Sequence, residues 1–432
     1  MKKIFAVLLS QVLITTAFSQ QVNQELKSLI EKTFNYFPRL QEAGQSVIIS
    51  EERVDLAKTG YVPTMNASFT YNYINPVGEA TFPTGPTTTQ TIQFQPNHNL
   101  NGNIALNYVV YDFGRLQSVI RKSKQNLQLS NDNLEFQKIQ LAAQVCQFYY
   151  GMIYLSKTIA IEDSLLNVLE ENRRMVQARV DNGDALKLDL LNIESSISQE
   201  NIRKIDLQAQ YDKQLIFLRY LTGVDAVSVA NTIFDYKVEE KTSNGYLDNS
   251  KTYNYEFNMA NDRMKMFESD LKNIRSQFLP YFTVNGSVGF RNGYQPNINE
   301  MRFNYALGAG ISIPILDAVK NKQQVRITKA VMHQQELAIS GLENTYKKDI
   351  DVVLTDIKSG KEKLNNQQNQ VDASKEALRI TGVKYANGTS TYLELINSAY
   401  NLQRVMLQEI QIQYNLCLSN IELARLSGVN FY

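Results

Sequence analysis

The stretch ARVDNGDALKLDLLNIESSI occupies residues 178–197, and the related stretch VKYANGTSTYLELINSAYNL occupies residues 383–402. Aligning their central Asn-Gly pairs also aligns the leucine-rich segments that follow, at an offset of 205 residues. Asp112 of VVYDFGR and Asp317 of PILDAVK share this same offset. Because two separate matches at one offset rarely arise by chance, the sequence predicts an internal duplication.

Each half is predicted to contain a helix, two strands, a long helix, an Asn-Gly break and a second long helix. The predicted segments are a signal peptide at 1–19, the first helix of repeat 1 at 20–62, a β-hairpin at 63–113, a helical hairpin at 114–221, a linker at 222–252, the first helix of repeat 2 at 253–279, a second β-hairpin at 280–316 and a second helical hairpin at 317–428. The first β-hairpin is longer because of the segment 75–99. That segment is rich in Pro, Gly and Thr, and we predict that it forms a loop.

Four segments alternate between apolar residues and small or polar residues, with the period of two that is typical of strands. The apolar positions are Ala67, Phe69, Tyr71 and Tyr73, then Ile104, Leu106, Tyr108 and Val110, then Phe282, Val284, Val288 and Phe290, and finally Tyr305, Leu307, Ala309, Ile311 and Ile313. Each run has roughly 9–10 residues, which is the length of a tilted strand that crosses a bilayer.

A half-buried sheet in a soluble sandwich would show the same alternation, but it would need a second sheet, and the rest of this chain has helical patterns. Four strands cannot close a membrane barrel, since such barrels begin at about eight strands. An open sheet edge is not tolerated in hydrocarbon, where no water can satisfy the backbone. Two copies would give eight strands and three would give twelve, and only three copies leave an obvious lumen.

The helical segments are too long for a globular domain. Residues 114–181 and 318–386 contain no proline, and at 1.5 Å per residue each could form a helix of about 100 Å. Each Asn-Gly pair then reverses the chain into a helical hairpin. We therefore predict a mixed membrane protein. Its shared transmembrane β-barrel, with four strands per chain and twelve in a trimer, is continued by a long α-helical barrel of coiled-coil hairpins.

The N-terminus has the parts of a secretory signal peptide, because Lys2 and Lys3 precede an apolar run at residues 4–14 and a small-x-small triplet at 17–19. The 432-residue chain has 44 Lys and Arg residues against 43 Asp and Glu residues, a net charge of +1. This balance gives no electrostatic reason for nucleic-acid binding. We predict an exported protein without a nucleic-acid partner.

The cysteines and histidines bear on whether the chain is an enzyme. Cys146 and Cys417 could pair in an oxidising compartment, but we predict two buried, unpaired thiols within helices. The only histidines are His98 and His333, so a histidine-based metal cluster or catalytic triad is not available. We predict no catalysis. The other alternative is a trimeric coiled-coil surface or structural protein without transport activity, which would show one continuous heptad register.

At this point the residues resemble the TolC-like outer-membrane efflux factor family, over nearly the whole mature chain. The resemblance rests on FPRL at 37–40 with its echo YEF at 255–257, on Pro63 and Pro280 before the strands, on the Asp-Phe-Gly turn at 112–114 and on the two Asn-Gly tips. Each motif is weak alone, but their duplicated order is specific. The chain departs from the family pattern in two places: the first motif usually reads Asn-Pro, and the second half lacks a glycine after Asp317.

The resemblance implies a homotrimer that spans the outer membrane, contacts outer-membrane lipid and crosses the periplasm. Such proteins accept substrate from an inner-membrane pump through a periplasmic adaptor protein, bind no cofactor and take their energy from the pump. The family's site positions match an adaptor-docking set of Asn182, Gly183, Asn387 and Gly388, and a periplasmic gate at Glu394 and Asn397. The family has two acids at the gate, so here one of them is replaced by an amide.

Overall fold

The structure is a computed structural model of the chain, and it describes residues 24–225, 227, 229, 233–234, 236–314 and 318–429. The predicted signal peptide and Asp317 lie outside these residues. The described elements are α1 (Gln24–Tyr36), α2 (Pro38–Lys58), β1 (Thr64–Tyr73), β2 (Glu79–Pro83), β3 (Thr89–Gln93), β4 (His98–Tyr111), α3 (Arg115–Asp181), α4 (Lys187–Thr222), α5 (Ser243–Tyr253), α6 (Tyr255–Ser276), β5 (Tyr281–Arg291), β6 (Arg302–Ser312), α7 (Ala318–Ala386) and α8 (Tyr392–Ser427).

The chain forms two compact units. The first, which we call the hairpin unit, comprises Met1–Glu42, Leu134–Phe257 and Leu342–Tyr432. The second, which we call the sheet unit, comprises Ala43–Asn133 and Asn258–Gly341. Helices α3 and α7 have 67 and 69 residues, and α4 and α8 have 36 each. These near-equal pairs confirm the predicted duplication and the two predicted helical hairpins.

The sheet unit contains a four-stranded antiparallel sheet in the order β1-β4-β5-β6. Its register places the predicted apolar positions in shared rows, such as Ala67, Ile104, Val288 and Tyr305. The next row is Ser68, Asn103, Gly289 and Asn304. Because successive side chains of a strand point to opposite sides, one face is apolar and the other is polar. The predicted alternation is confirmed, and strands β1 and β6 form the two edges.

The segment 75–99 is not a simple loop, and this part of the prediction was wrong. Strands β2 and β3 pair within it as a separate two-stranded sheet, and the hydroxyls of Thr81 and Thr91 lie 3.0 Å apart across the pair. Thr, Ile and Phe favour extended backbone, whereas Gly85 and Pro86 lie in the turn between the strands, and Pro76, Gly78 and Pro96 lie outside the pair.

The first helix of each repeat is broken, and the predicted linker 222–252 contains α5. Pro38 begins α2, where its missing N–H costs nothing because that group would have no helical partner. In the second repeat, Thr242 caps α5 by accepting a hydrogen bond from the N–H of Gly245 at 3.2 Å. Asn254 then separates α5 from α6, and its Oδ1 accepts the N–H of Glu256 at 2.9 Å. Helix α6 therefore occupies nearly the whole predicted range 253–279, and the difference from the prediction is the additional helix α5 within the linker.

Apolar contacts hold the two helical hairpins together inside the hairpin unit. Leu169 of α3, Ile193 of α4 and Ile396 of α8 share one buried cluster. Complete burial of such a side chain stabilises a fold by roughly 1.5–3 kcal/mol. Cys146 and Cys417 lie in a second buried cluster, which confirms the predicted burial of both side chains. Burial raises the pKa of the Cys146 thiol, and the nearby Cys417 adds to this effect.

A buried polar contact links the same three helices. Glu162 of α3 is fully buried, and the guanidinium Nε of Arg203 on α4 lies 2.8 Å from its Oε1. The amide of Gln403 on α8 donates to its other carboxyl oxygen. Burial raises the pKa of Glu162, while the charge of Arg203 opposes that rise. None of the helices in the described ranges is long and apolar enough to cross a membrane.

Candidate functional site

The first predicted tip joins α3 to α4. Gly183 follows the last turn of α3 with a φ of +80°, and its N–H donates to the carbonyl of Val180 at 3.0 Å. The N–H of Asp184 reaches back to the carbonyl of Arg179 at 2.8 Å. These bonds close the helix end in the left-handed conformation that glycine adopts without steric cost.

The second tip, between α7 and α8, repeats this geometry. Gly388 has a φ of +71°, its N–H donates to the carbonyl of Tyr385 at 3.1 Å, and the N–H of Thr389 donates to the carbonyl of Lys384 at 2.9 Å. A Cβ atom at either glycine would have open space around it among the described residues. The glycines therefore serve the turn itself, and both tips present bare, exposed backbone.

The helices that leave the two tips begin differently. Thr391 caps α8 with a capping box: its hydroxyl accepts the N–H of Glu394 at 3.2 Å, and the carboxylate of Glu394 accepts the N–H of Thr391 at 3.2 Å. Ser390 also donates to this carboxylate, and these two hydrogen bonds, that of Ser390 first, hold the pKa of Glu394 below its ordinary value. In the first repeat Leu186 occupies the cap position, and it has no side-chain hydrogen bond to the helix.

The predicted gate residues are both on the surface of the chain. Glu394 and Asn397 lie three positions apart in the first turns of α8, on one exposed side of that helix. The carboxylate of Glu394 turns back to its own helix N-terminus, so in a single chain its role is that of a cap. A carboxylate is ionised at neutral pH at its ordinary pKa, so Glu394 places a negative charge at this end of the hairpin, and its lowered pKa extends the ionised range to lower pH.

A contact between the two tips was not predicted from the sequence. The guanidinium of Arg179 lies 4.7 Å above the ring of Tyr385 and donates to the Tyr385 carbonyl at 3.3 Å. A cation over an aromatic face is attractive by about 0.5–1 kcal/mol at an exposed site and by more when it is desolvated, and Tyr385 is buried. Each residue lies one turn before its tip glycine. The two residues are not equivalent in the duplication, because Arg179 aligns with Lys384, so the sequence alone did not indicate this pair.

Exposed leucines surround the tips. Leu188 and Leu393 occupy equivalent places in the two repeats, and their side chains are 60% and 65% exposed. Leu186 is 68% exposed. Large apolar side chains at such exposure are normal singly, but a group of them beside bare backbone is typical of a surface that another protein covers.

The polar face of the sheet is the second candidate element. Asn107 of β4 and Asn285 of β5 are direct partners, and the side chain of Asn285 packs over Gly308 of β6. Amide, hydroxyl and small side chains along this face could line a water-filled passage, while the aromatic face suits lipid. Within the described ranges, no group of three or more His, Cys, Asp and Glu side chains could hold a metal ion.

A duplicated chain with an antiparallel sheet that has one apolar face, and with two long helical hairpins, has the elements of TolC-like outer-membrane channels. The family model described as outer membrane efflux protein matches residues 29–224 and 229–429. The chain belongs to the outer membrane efflux protein family. It is located in the outer membrane and acts in efflux.

Curated relatives and solved structures agree with this family. The chain is 21% identical over 416 residues to the probable outer membrane lipoprotein SilC of Salmonella typhimurium, covering 93% of this chain and 85% of SilC. It is 19% identical over 434 residues to the outer membrane efflux protein BepC of Brucella suis, covering 98% and 89%. The structure of the outer membrane protein VceC of Vibrio cholerae matches with a TM-score of 0.77 at 16% identity, covering 94% and 97%.

Proposed function

We propose that three copies of this chain close one channel that serves as a passive exit duct. The unpaired edges of the sheet are the observation that carries this proposal. Strands β1 and β6 bound a sheet whose one face is apolar, and an open edge is not tolerated in hydrocarbon. Since neighbouring strands alternate in direction, β6 of one copy would meet β1 of the next in the antiparallel sense. Two copies would give eight strands, whose interior side chains fill, whereas three give twelve strands, an even number that leaves a lumen.

Exposed apolar residues on α4 support the same assembly. Ile205 and Tyr220 are 67% and 66% exposed, and Ile202, Ile216 and Phe217 are also exposed. Helices of a water-soluble monomer seldom present a row of this kind, and a neighbouring copy would cover it. The alternative, a trimeric coiled-coil protein without transport activity, would also bury such a row, so the sheet edges and the conductance decide between the two.

The partners follow from the family, whose members act in tripartite systems with an adaptor and an inner-membrane pump. We propose that substrate enters from such a pump, through a periplasmic adaptor that docks at the tips around Asn182, Gly183, Asn387 and Gly388. The bare backbone and the exposed leucines of the tips support this assignment. In this proposal the chain itself needs no cofactor and catalyses no reaction, because the pump supplies the energy.

The test of the channel is assembly together with conductance. Purified in mild detergent, the protein should run as a trimer that dissociates to monomers on heating, and it should conduct ions in a planar bilayer. A trimer without conductance would favour the coiled-coil alternative. A stable monomer would contradict the closure argument.

For the gate, we propose that three copies of Glu394 surround the channel axis at the periplasmic end, with Asn397 one turn further along. A ring of carboxylates attracts cations and constricts a pore. The change Glu394→Ala should raise single-channel conductance and weaken block by divalent cations, measured in planar bilayers.

The matched control for this change is Thr391→Ala. It removes the Thr391 hydroxyl from the capping box at a cost of typically about 1 kcal/mol, but it leaves the carboxylate in place. If the charge forms the gate, only Glu394→Ala alters conductance and divalent block. Equal changes in both variants would assign Glu394 to helix capping alone.

A further inference from the structure

The four strands of the main sheet contain two formally charged residues, Arg291 and Arg302. Arg291 is the last residue of β5, Arg302 is the first residue of β6, and the two are direct cross-strand partners. Like charges placed opposite each other destabilise a strand pair. A pair of arginines in an otherwise uncharged sheet is therefore unfavourable for folding and points to a role outside it.

Both arginines belong to the polar face of the sheet. Arg291 is the register partner of Asn101 on β4, which in turn is the partner of Thr70 on β1. The adjacent row contains Phe290 and Phe303, whose rings contact each other with centroids 5.5 Å apart. Since successive residues point to opposite faces, the aromatic pair faces the lipid side and the guanidinium pair faces the proposed lumen.

The arginine pair lies at the end of the sheet that is farthest along the strands from the helices. Strand β5 starts at Tyr281, shortly after α6 ends at Ser276, and β6 ends at Ser312, shortly before α7 begins at Ala318. The two arginines occupy the opposite ends of these strands. In a channel whose helices extend into the periplasm, this end is the outer exit.

The charge of the pair is only partly neutralised. The carboxylate of Glu300 lies 3.5 Å from the guanidinium of Arg302, which also donates to the carbonyl of Gln295 at 3.1 Å. The guanidinium of Arg291 lies 5.2 Å above the ring of Tyr294, and no carboxylate of the described residues is within ion-pair distance of it. Glu79 of β2 also lies at this end of the strands. Within the described residues it forms no ion pair with Arg291 or Arg302.

We propose that Arg291 and Arg302 of three chains form a ring of six guanidinium groups at the outer exit, which makes the exit selective for anions. This inference rests on the proposed trimeric channel and adds to it the chemical class of the favoured solute. Rings of arginine side chains are the usual means by which pores select anions. A guanidinium group binds a carboxylate, phosphate or sulfate through two parallel N–H···O hydrogen bonds. The favoured cargo is therefore an organic anion that carries such a group.

Ion selectivity tests the ring directly. Because the proposed Glu394 ring at the other end attracts cations, ion preference is measured in channels that carry Glu394→Ala. In planar bilayers of phosphatidylcholine under a KCl gradient, such a channel with both arginines intact should favour chloride over potassium. The double change Arg291→Gln with Arg302→Gln should lower the chloride-to-potassium permeability ratio by about threefold, since three copies act together through water-filled space. The control double change to lysine keeps the charge and should keep the ratio. Glu300→Gln should raise it.

A second measurement locates the ring. Inorganic pyrophosphate, added to the side of the bilayer that holds the strand loops, should block the wild-type and lysine channels, and it should lose this effect on the glutamine variant. The single change Arg291→Gln is the substitute if the double variant assembles poorly, because Arg302 has more contacts with its own loop.

The possible outcomes distinguish failure of the arginine ring from failure of the proposed channel. A conducting trimer whose ion preference and pyrophosphate block are unchanged by the glutamine substitutions would overturn the ring and leave the channel proposal standing. An effect seen only in bilayers with lipopolysaccharide would assign the arginines to lipid phosphates instead. A wild-type protein without any conductance would remove both proposals.

Discussion

Cells that produce the Leu106→Arg variant should contain no inserted trimer. Leu106 lies in the middle part of β4, in the row between Met65 of β1 and Gly286 of β5, on the apolar face. An arginine on the lipid face near the bilayer midplane costs about 2–4 kcal/mol in each chain, and the assembly would contain three. The measurement is the yield of heat-labile trimer in outer-membrane fractions.

The adjacent residue supplies the matched control. Asn107 is the register partner of Thr64 and Asn285, on the polar face of the same strand. Asn107→Arg introduces the same side chain one position away, where water can solvate it. Trimer yield should stay close to that of the wild type, while the ion preference in planar bilayers shifts toward anions. Equal loss of trimer in both variants would show that the two faces of the sheet are wrongly assigned.

The strands and long helices could be predicted because their physical signals are local and repeated. A period of two over about ten residues leaves little doubt about which side chains share a face, and Leu106 and Asn107 illustrate it. Long segments without proline allow uninterrupted helices, and α3 and α7 end at the Asn-Gly pairs as predicted. The duplication shows each long helix and each strand of the main sheet twice, whereas β2 and β3 occur in the first repeat alone among the described elements.

The differences from the prediction arise where tertiary contacts decide. The break between α5 and α6 depends on Asn254, whose side-chain amide donates to the carbonyls of Arg425 and Leu426 at 3.2 and 3.1 Å. Those partners are far away in the sequence, so the prediction placed a boundary at residues 252 and 253 but missed the short helix α5 before it. The contact between Arg179 and Tyr385 is equally remote, because it joins two hairpins that become neighbours only in the folded chain.

Polar contacts explain why the site was only partly predictable. The Asn-Gly motifs predicted where the tips are, since glycine is required at a positive φ. Glu394 could be placed at the helix start from its spacing after Thr391, but its hydrogen bond from Ser390 depends on the local turn. The alternation of apolar and polar residues does not indicate the basic pair at Arg291 and Arg302, because that pattern is independent of formal charge.

The last expected result concerns docking at the second tip, where Gly388→Asp should abolish export while trimer yield and bilayer conductance stay near wild type. Gly388 is exposed, and a Cβ atom there would meet no atom of the chain's described part, so the larger side chain fits in the isolated protein. The left-handed backbone costs a non-glycine residue roughly 1–2 kcal/mol, and less for Asp than for most others. Bulk and charge at this point would instead prevent close approach of a partner helix. Export can be measured as retention of a dye that the cognate pump normally expels.

Gly114→Asp is the control for backbone strain, because Gly114 also has a positive φ of +84° and open space around it, but it lies at the start of α3 next to the sheet. If strain alone stopped export, both variants would fail alike. If the tip is the docking surface, only Gly388→Asp should fail, and cross-linking should show that it no longer binds the adaptor. Loss of the trimer in Gly388→Asp would assign this glycine to folding, and continued export would place the docking surface elsewhere on the chain.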